Sequence, residues 1–377
     1  MPWNKVSVMD QREEFVSLAL KEGANIRELC RRFRISPTTG YKWINRFGEG
    51  GKTALLDRSR RPLQSPKRTQ ASVEARIVTL RGTHPKWGAR KLCTRLIKLG
   101  ESAVPSVSTA HAILVRHGLI DASESAKHSA FQHFEHERPN AFWQMDFKGH
   151  FAVPQGRCHP LTVLDDHSRY NLCLQACPNE RGVTGQSHLS AVFRRYGLPW
   201  CIGVDNGAPW GDTYRSPYTP LTVWLIRLGI RVAHSRPYHP QTLGKDERFH
   251  RTLKLEVLQG QSFEGFDQVQ SQFDAWRRCY NHERPHEALG MEVPASRYAS
   301  SPRAYPDPLP AIEYADEANV RRVQSGGDIH YKGMLLKVSK AFHRHPVLVR
   351  PREDQDGLLE VFFCHQKIAS INLRESQ

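Results

Sequence analysis

The 377-residue chain carries 54 Lys and Arg against 38 Asp and Glu, a net charge of +16, and 39% of its residues are hydrophobic. That length predicts two to four domains of ordinary size, each apolar enough to fold. No stretch approaches the ~20 apolar residues of a membrane span and the opening MPWNKVSVMDQREE lacks an apolar signal core, so the expectation is a soluble intracellular protein with no membrane partner.

The placement of charge says more than its total. Residues 1–120 hold 23 Lys and Arg against 9 Asp and Glu, a net of +14, which leaves +2 for the remaining 257 residues. Such a cationic N-terminal third predicts a polyanionic partner, and with no basic amphipathic helix flanked by aromatics, nucleic acid is favoured over anionic lipid. The eight cysteines are scattered singly; Cys173 and Cys177 in CLQAC come closest, so neither a disulfide framework nor structural zinc is indicated. The histidines of HSAFQHFEH, His128 to His136, lack cysteine partners and read as solvated or nucleic-acid-facing.

In chain order, the first helix runs from Asp10 to Leu20, with Phe15, Val16, Leu18, Ala19 and Leu20 as its apolar stripe and Gly23 as its stop. NIRELCRRF opens on a capping Asn25 and buries Ile26, Leu29, Cys30 and Phe33. Ser36 with Pro37 starts a third helix. Its pattern turns Tyr41, Ile44 and Phe47 inward and leaves Thr38, Thr39, Lys42 and Arg46 outward. Three short helices with a tight turn before a polar, basic third one predict a helix-turn-helix that reads DNA through Thr38, Thr39, Lys42 and Arg46; an ordinary bundle with a solvated face is the alternative.

DRSRRPLQSPKRT follows as a linker, whose Arg58, Arg60 and Arg61 either lay into a minor groove or merely solubilise it. Residues 73–120 read as helical again, with a cap at Gly100 and a further helix from Ser108 to Gly118, a second helix-turn-helix-like unit.

From Ala141 the texture changes to strands: AFWQMDFKGHFAV, then two in HPLTVLDDHSRYNLCLQAC, then the short PWCIGVDNG with Asp205 at its carboxyl end, where open sheets place ligands. The helical TGQSHLSAVFRRYG and PLTVWLIRLG flank the last strand, which predicts an α/β domain with a mixed sheet. HPQTLG is a turn, and the helix after it presents Glu247, Arg251, Lys254 and Leu258 on one face. Glu247 with Asp146 and Asp205 supplies the hard oxygen donors that Mg2+ takes.

WQMDFKG, LTVLDDHSRY, DNG, RPYHPQTLGKDERFHRTLKLE and YNHERPHEALG occur in that order, and with them the chain resembles the DDE transposases of bacterial insertion sequences, within the retroviral-integrase superfamily. The resemblance implies a multidomain protein: N-terminal all-α helix-turn-helix units, a central α/β ribonuclease-H-like catalytic core and a C-terminal small β-barrel. It implies that Asp146, Asp205 and Glu247 are the catalytic residues and hold two Mg2+ ions, for which Mn2+ can substitute. The expected reaction is cleavage at the ends of an element and joining of the freed 3′-hydroxyls to target DNA by two-metal phosphoryl transfer. Arg251 and Lys254 would hold the phosphodiester backbone. The expected partners are double-stranded DNA, as terminal inverted repeats and target, and further copies of the chain, at least a dimer on DNA; no small-molecule substrate is implied. The location would be the bacterial cytoplasm, at the nucleoid.

Three other acids compete. Asp165 and Asp166 end a strand, and the family pattern gives them a scaffold role, pairing with Arg169. Asp246 would point about 100° from Glu247 on a helix, so Glu247 is preferred. The 42 positions between Asp205 and Glu247 exceed the step usual in retroviral relatives, and an insertion around GAPWGDTYRSPYT would absorb the difference.

In the last third, Trp276 and Tyr280 read as packing residues, SSPRAYPDPLP as a bridge, and residues 321–374 as short strands of a small antiparallel barrel. The expected domains are 1–56 and 73–120 (helix-turn-helix), 139–299 (core) and 315–377 (barrel), joined by linkers at 57–72, 121–138 and 300–314. Two readings compete with the transposase: a DNA-binding regulator that has lost its chemistry, and a nuclease that cuts without joining.

Overall fold

Three capped helices build the N-terminal unit of the chain, α1 (Val8–Ala19), α2 (Ile26–Arg32) and α3 (Pro37–Gly50). The computed structural model describes residues 7–58, 68–120, 135–211, 216–235, 244–315, 319–355 and 357–374, in two compact units, Met1–Arg68 and Thr69–Gln377. Ser7, Asn25 and Ser36 each accept a hydrogen bond from a backbone N–H in the first turn of their helices, satisfying donors the helix itself cannot. Phe15, Val16, Cys30, Trp43 and Leu55 form the core.

One inward position differs from expectation. Tyr41 is 51% exposed, whereas Trp43 is only 8% exposed. Burial follows Gly40 and Trp43, with Ile44 and Phe47 packed beside them, a spacing of 3, 4 and 7 residues; Tyr41 lies about 100° off that stripe. Gly40 permits the close approach of α3 to α2: a Cβ there would sit 2.5 Å from Cys30 Sγ and 2.9 Å from Phe15 Cζ.

The second unit opens with α4 (Ala71–Thr83), α5 (Ala89–Lys98) and α6 (Val107–Arg116) around buried Ile77, Trp87, Leu92, Leu96, Ile113 and Leu114. The helical stretch read up to Gly100 is interrupted at His84–Gly88, where Pro85 disfavours helix for the residue before it and Trp87 enters the core. Gly100, at φ +83°, ends α5 in the left-handed conformation a side chain resists.

The core sheet has the order β2 (Phe151–Val153), β3 (Gly156–Asp165), β1 (Trp143–Phe147), β5 (Cys201–Val204), β6 (Arg231–His234), with β4 (Asn171–Cys177) also paired to β3. Pairing is antiparallel among β1 to β4 and parallel for β1–β5 and β5–β6. This is the mixed sheet expected of a ribonuclease-H-like core. α7 (Gly182–Tyr196), α8 (Pro220–Arg227), α9 (Gly244–Leu253) and α10 (Phe266–His282) complete it. α7 and α8 bury Leu189, Phe193, Leu221 and Leu225 in one apolar cluster; Phe249, Leu253, Val269, Phe273 and Tyr280 of α9 and α10 form another with Leu164 and Leu174. The strand β6 is not evident from the sequence.

The C-terminal region departs from the barrel expected. Its described strands form a four-stranded sheet, β12 (Gln366–Asn372), β11 (Leu358–Phe363), β10 (Pro346–Pro351), β7 (Val320–Arg322), and a separate hairpin of β8 (Asp328–Tyr331) and β9 (Met334–Lys337). Closure is unnecessary because the apolar face is already covered: Val347, Val349, Val361 and Phe363 belong to the same buried cluster as the core sheet. The Gln366 side chain bonds both the N–H and the C=O of Val232, occupying the outer edge of β6. Residues 300–314 lie against the core, with Tyr305, Leu309 and Ile312 packed on it and the Arg303 guanidinium donating to the carbonyls of Pro199 and Gly229.

Candidate active site

Asp146 and Asp205 come from adjacent parallel strands. The pairing Trp143↔Ile202 and Gln144↔Gly203, carried two residues further, sets Asp146 level with Asp205 and turns both side chains to one face. Asp205 stands just past β5, its Oδ1 accepting from the Gly207 N–H at 3.1 Å and its carbonyl oxygen 3.0 Å from His234 Nδ1. Burial, then the charge of Asp205, pushes the Asp146 carboxyl up to about 7, with Glu180 and Glu247 adding to the rise. Asp205 is raised too, by burial first and with Glu180 contributing. Three other acids therefore act on Asp146, one of them also on Asp205, and the pattern is that of oxygen donors short of a counter-ion.

Glu180 carries no mark in the sequence. It precedes α7 in a polar loop, and its carboxylate is held 2.8 Å from His159 Nδ1. Only the fold brings it to Asp146 and Asp205.

The start of α9 is anchored from both sides. Lys245 pairs with Asp166 at 2.5 Å, and the Asp246 N–H donates to Gln144 Oε1 on β1. Of the two neighbouring acids, Asp246 turns inward and is 1% exposed, whereas Glu247 is exposed. Thr162 Oγ1 lies 3.2 Å from both Asp246 carboxyl oxygens and 2.8 Å from His250 Nε2. Donor atoms of Asp146, Asp246 and His250 all fall within 4.8 Å of one another. The direct neighbour of Asp146 on α9 is thus Asp246, while Glu247 is felt there as a charge. Burial, and next the charge of Asp146, raises Asp246 well above the carboxylate range, and burial drives His250 down to about 3. With Thr162 this pair forms a hydrogen-bonded support beside Asp146.

Asp165 and Asp166 serve the scaffold. Asp165 accepts from the N–H groups of Asn140 and Ser168 and from the Ser168 hydroxyl; Asp166 accepts from the His136 N–H and the Gln144 amide. The ion-pair partner of Asp166 is Lys245 rather than the expected Arg169, because α9 delivers its ammonium directly over the strand end.

The other predicted positions are dispersed. Thr38 and Lys42 are exposed on α3, and the Thr39 hydroxyl is 2.9 Å from Ser36 Oγ. Lys42, Arg46 and Arg12 all lie over the Trp43 ring, at 5.2, 5.0 and 4.1 Å, so the indole carries a cationic cover. Arg58 is exposed; Arg60 and Arg61 lie outside the described residues, as does the turn HPQTLG up to Leu243. Arg251 and Lys254 are exposed, but the helix changes at Lys254 into a π-helical turn, Lys254–Leu258, and Leu258 packs on the core instead of sharing their face. Lys148, just past β1, joins the site from structure alone: burial lowers its ammonium pKa, and the nearby charge of Lys254 lowers it further. The loop after Asp205 folds back, burying Trp210 against Phe147 with ring centroids 5.7 Å apart. Trp276 and Tyr280 pack as expected, the Trp276 indole donating to Glu256 at 2.9 Å. Among the described residues, no helix is long and apolar enough to cross a membrane.

Comparison with known proteins covers most of the chain in pieces. Residues 136–240 and 228–294 match an integrase core domain, 11–62 a helix-turn-helix domain, 39–114 a homeodomain-like domain, and 318–377 the C-terminal domain of IS481 family transposases. An uncharacterized 39.2 kDa protein of insertion element IS476 from Xanthomonas euvesicatoria is 28% identical over 257 residues, 64% of this chain and 68% of that protein. An uncharacterized 31.7 kDa protein of insertion element IS407 from Burkholderia multivorans is 26% identical over 175 residues, 46% of this chain and 61% of its own length. Among solved structures, a chain of the simian T-cell lymphotropic virus intasome in complex with a PP2A regulatory subunit aligns at a TM-score of 0.39 and 15% identity, covering 78% of this chain and 95% of that one.

Proposed function

We propose that the chain, whose segments match integrase core domains and the C-terminal domain of IS481 family transposases, is an insertion-sequence transposase that binds the terminal inverted repeats of its element, cleaves DNA at the element ends and joins the 3′-hydroxyls to target DNA. The observation that carries this reading is the meeting of Asp146 and Asp205 on one face of the sheet, each carboxyl raised by its surroundings. Glu247, at the start of α9, is the third donor in this reading, and the three fit Mg2+, or Mn2+ in its place, because a divalent cation would relieve their mutual repulsion. A pair of ions bound there would activate the attacking oxygen and stabilise the leaving one in an in-line displacement at phosphorus.

The chain's own groups do the rest. Asp246, Thr162 and His250 form a fixed floor under Asp146. The Lys245–Asp166 pair holds the start of α9 at the sheet and so sets the height of Glu247. Lys148 and Lys254, near enough for the charge of one to act on the other, and the exposed Arg251 would neutralise backbone phosphates. Thr38, Thr39, Lys42 and Arg46 on α3 would read the repeats, with Arg58 and the arginines after it tracking the groove. Two element ends must be held at once, so the active form is at least a dimer.

The test is incubation of the protein and Mg2+ with labelled terminal-repeat DNA and a supercoiled target. Joined product is expected. Cleavage without joining would identify a nuclease, and binding without either would identify a regulator.

A further inference from the structure

Away from the acidic site, His84, in the turn after α4, meets Cys279 and Glu283 of the α10 end. Their ligand atoms, one nitrogen, one sulfur and one oxygen, all lie within 4.8 Å of one another. The His84 ring is stacked on Trp87, centroids 3.8 Å apart and planes 7° from parallel, so a buried indole holds the plane of the imidazole. Cys279 and Glu283 stand four residues apart, one turn along the helix and on the same side.

We propose that His84, Cys279 and Glu283 form a binding site for a borderline-soft divalent cation, Zn2+, that fastens the helical region 69–120 to the last helix of the core. The donor set is one that zinc accepts, with a water as the fourth ligand; a thiol and an imidazole together are poor partners for Mg2+. Donors in a tetrahedral zinc shell are about 3.5 Å apart, so the side chains need only close in slightly. They are available to do so. Cys279 is in no disulfide, and the Glu283 ion pair with Arg95, at 2.6 Å, uses Oε2 and leaves Oε1. Burial lowers the pKa of His84, which keeps its imidazole neutral. Burial and then the charges of Glu283 and Glu256 push the Cys279 thiol up to about 12; zinc binding would displace that proton to solvent.

The location gives the ion a purpose. α5 already meets this segment through Arg95–Glu283, Lys98–Glu292 at 2.8 Å and Arg90–Glu287 at 3.9 Å, and Cys279 packs on the helical core. Part-exposed ion pairs of this kind hold weakly. A zinc ion would replace an adjustable junction with a fixed one and so set the angle at which the second helical unit is presented.

The experiment uses the full chain, stripped with a chelator and titrated with Co2+ as a coloured substitute for zinc. One ion per chain with a thiolate-to-cobalt charge-transfer band is expected, displaced by Zn2+. Cys279→Ser should remove the band, and Glu283→Gln should weaken Zn2+ binding at least about 10-fold. Asp205→Asn should keep the band, separating this site from the acidic one whatever the fate of the catalytic reading. Absence of a thiolate band in the wild type, its persistence in Cys279→Ser, or its loss in Asp205→Asn would overturn the proposal. If Cys279→Ser does not fold, His84→Gln carries the same test: an unchanged band there refutes it.

Discussion

Replacing Asp146 by Asn removes the charge at the centre of the acidic cluster while keeping its shape. Burial and the Asp205 charge move this carboxyl from its ordinary 3.8 to about 7. The folded protein therefore holds the proton more tightly than the unfolded chain does. The stability from this group is full below the unfolded value and is lost as pH rises through the folded one. Between pH 5 and pH 8 the loss is about 3 kcal/mol, since each unit of pKa corresponds to about 1.4 kcal/mol. Asn does not titrate and escapes that loss. In EDTA, urea unfolding of wild type and Asp146→Asn at the two pH values should show the wild type losing about 3 kcal/mol more. Saturating Mg2+ at pH 8 should restore the wild type and leave the variant nearly unchanged; at one hundred times its dissociation constant an ion contributes about 2.7 kcal/mol. Equal pH dependence in the two proteins would mean that Asp146 is ionised throughout, and the cluster would then lose its claim to a cation.

Asp205→Asn should abolish cleavage and joining while terminal-repeat binding, measured by mobility shift, stays within about twofold; parallel loss of binding would make Asp205 structural. Lys42→Ala with Arg46→Ala should weaken repeat binding and reduce the slope of log K against log salt by about 2, one for each phosphate no longer neutralised; an unchanged slope would move DNA recognition off α3. Gly40→Ala must push its methyl toward Cys30 Sγ and Phe15 Cζ, 2.5 and 2.9 Å from the ideal Cβ position, and should cost the N-terminal unit about 1–3 kcal/mol in denaturant unfolding. Lys245→Met leaves the buried Asp166 carboxylate without its cation and should destabilise the core by about 3–5 kcal/mol, with the start of α9 exchanging amide hydrogens faster; unaltered exchange would show that α9 is held by other interactions.

Local chemistry determined much of this protein. The caps at Asn25 and Ser36, the apolar stripes of α1 and α2 and the strand textures around Asp146 and Asp205 are short-range signals, so the helical units and the mixed sheet were legible in the chain itself. Tertiary packing decided the rest. Whether a strand closes a barrel depends on what covers its face, and here that face joins an apolar cluster shared with the core, which no window of residues 321–374 reveals. Trp43 rather than Tyr41 turns inward because Phe15 and Cys30 arrive from other helices. Glu180 acts on Asp146, and Asp146 on Asp246, between segments far apart in the sequence, as Cys279 reaches His84. Charge and metal affinity fall off over a few ångströms of space, and position along the chain does not measure that distance.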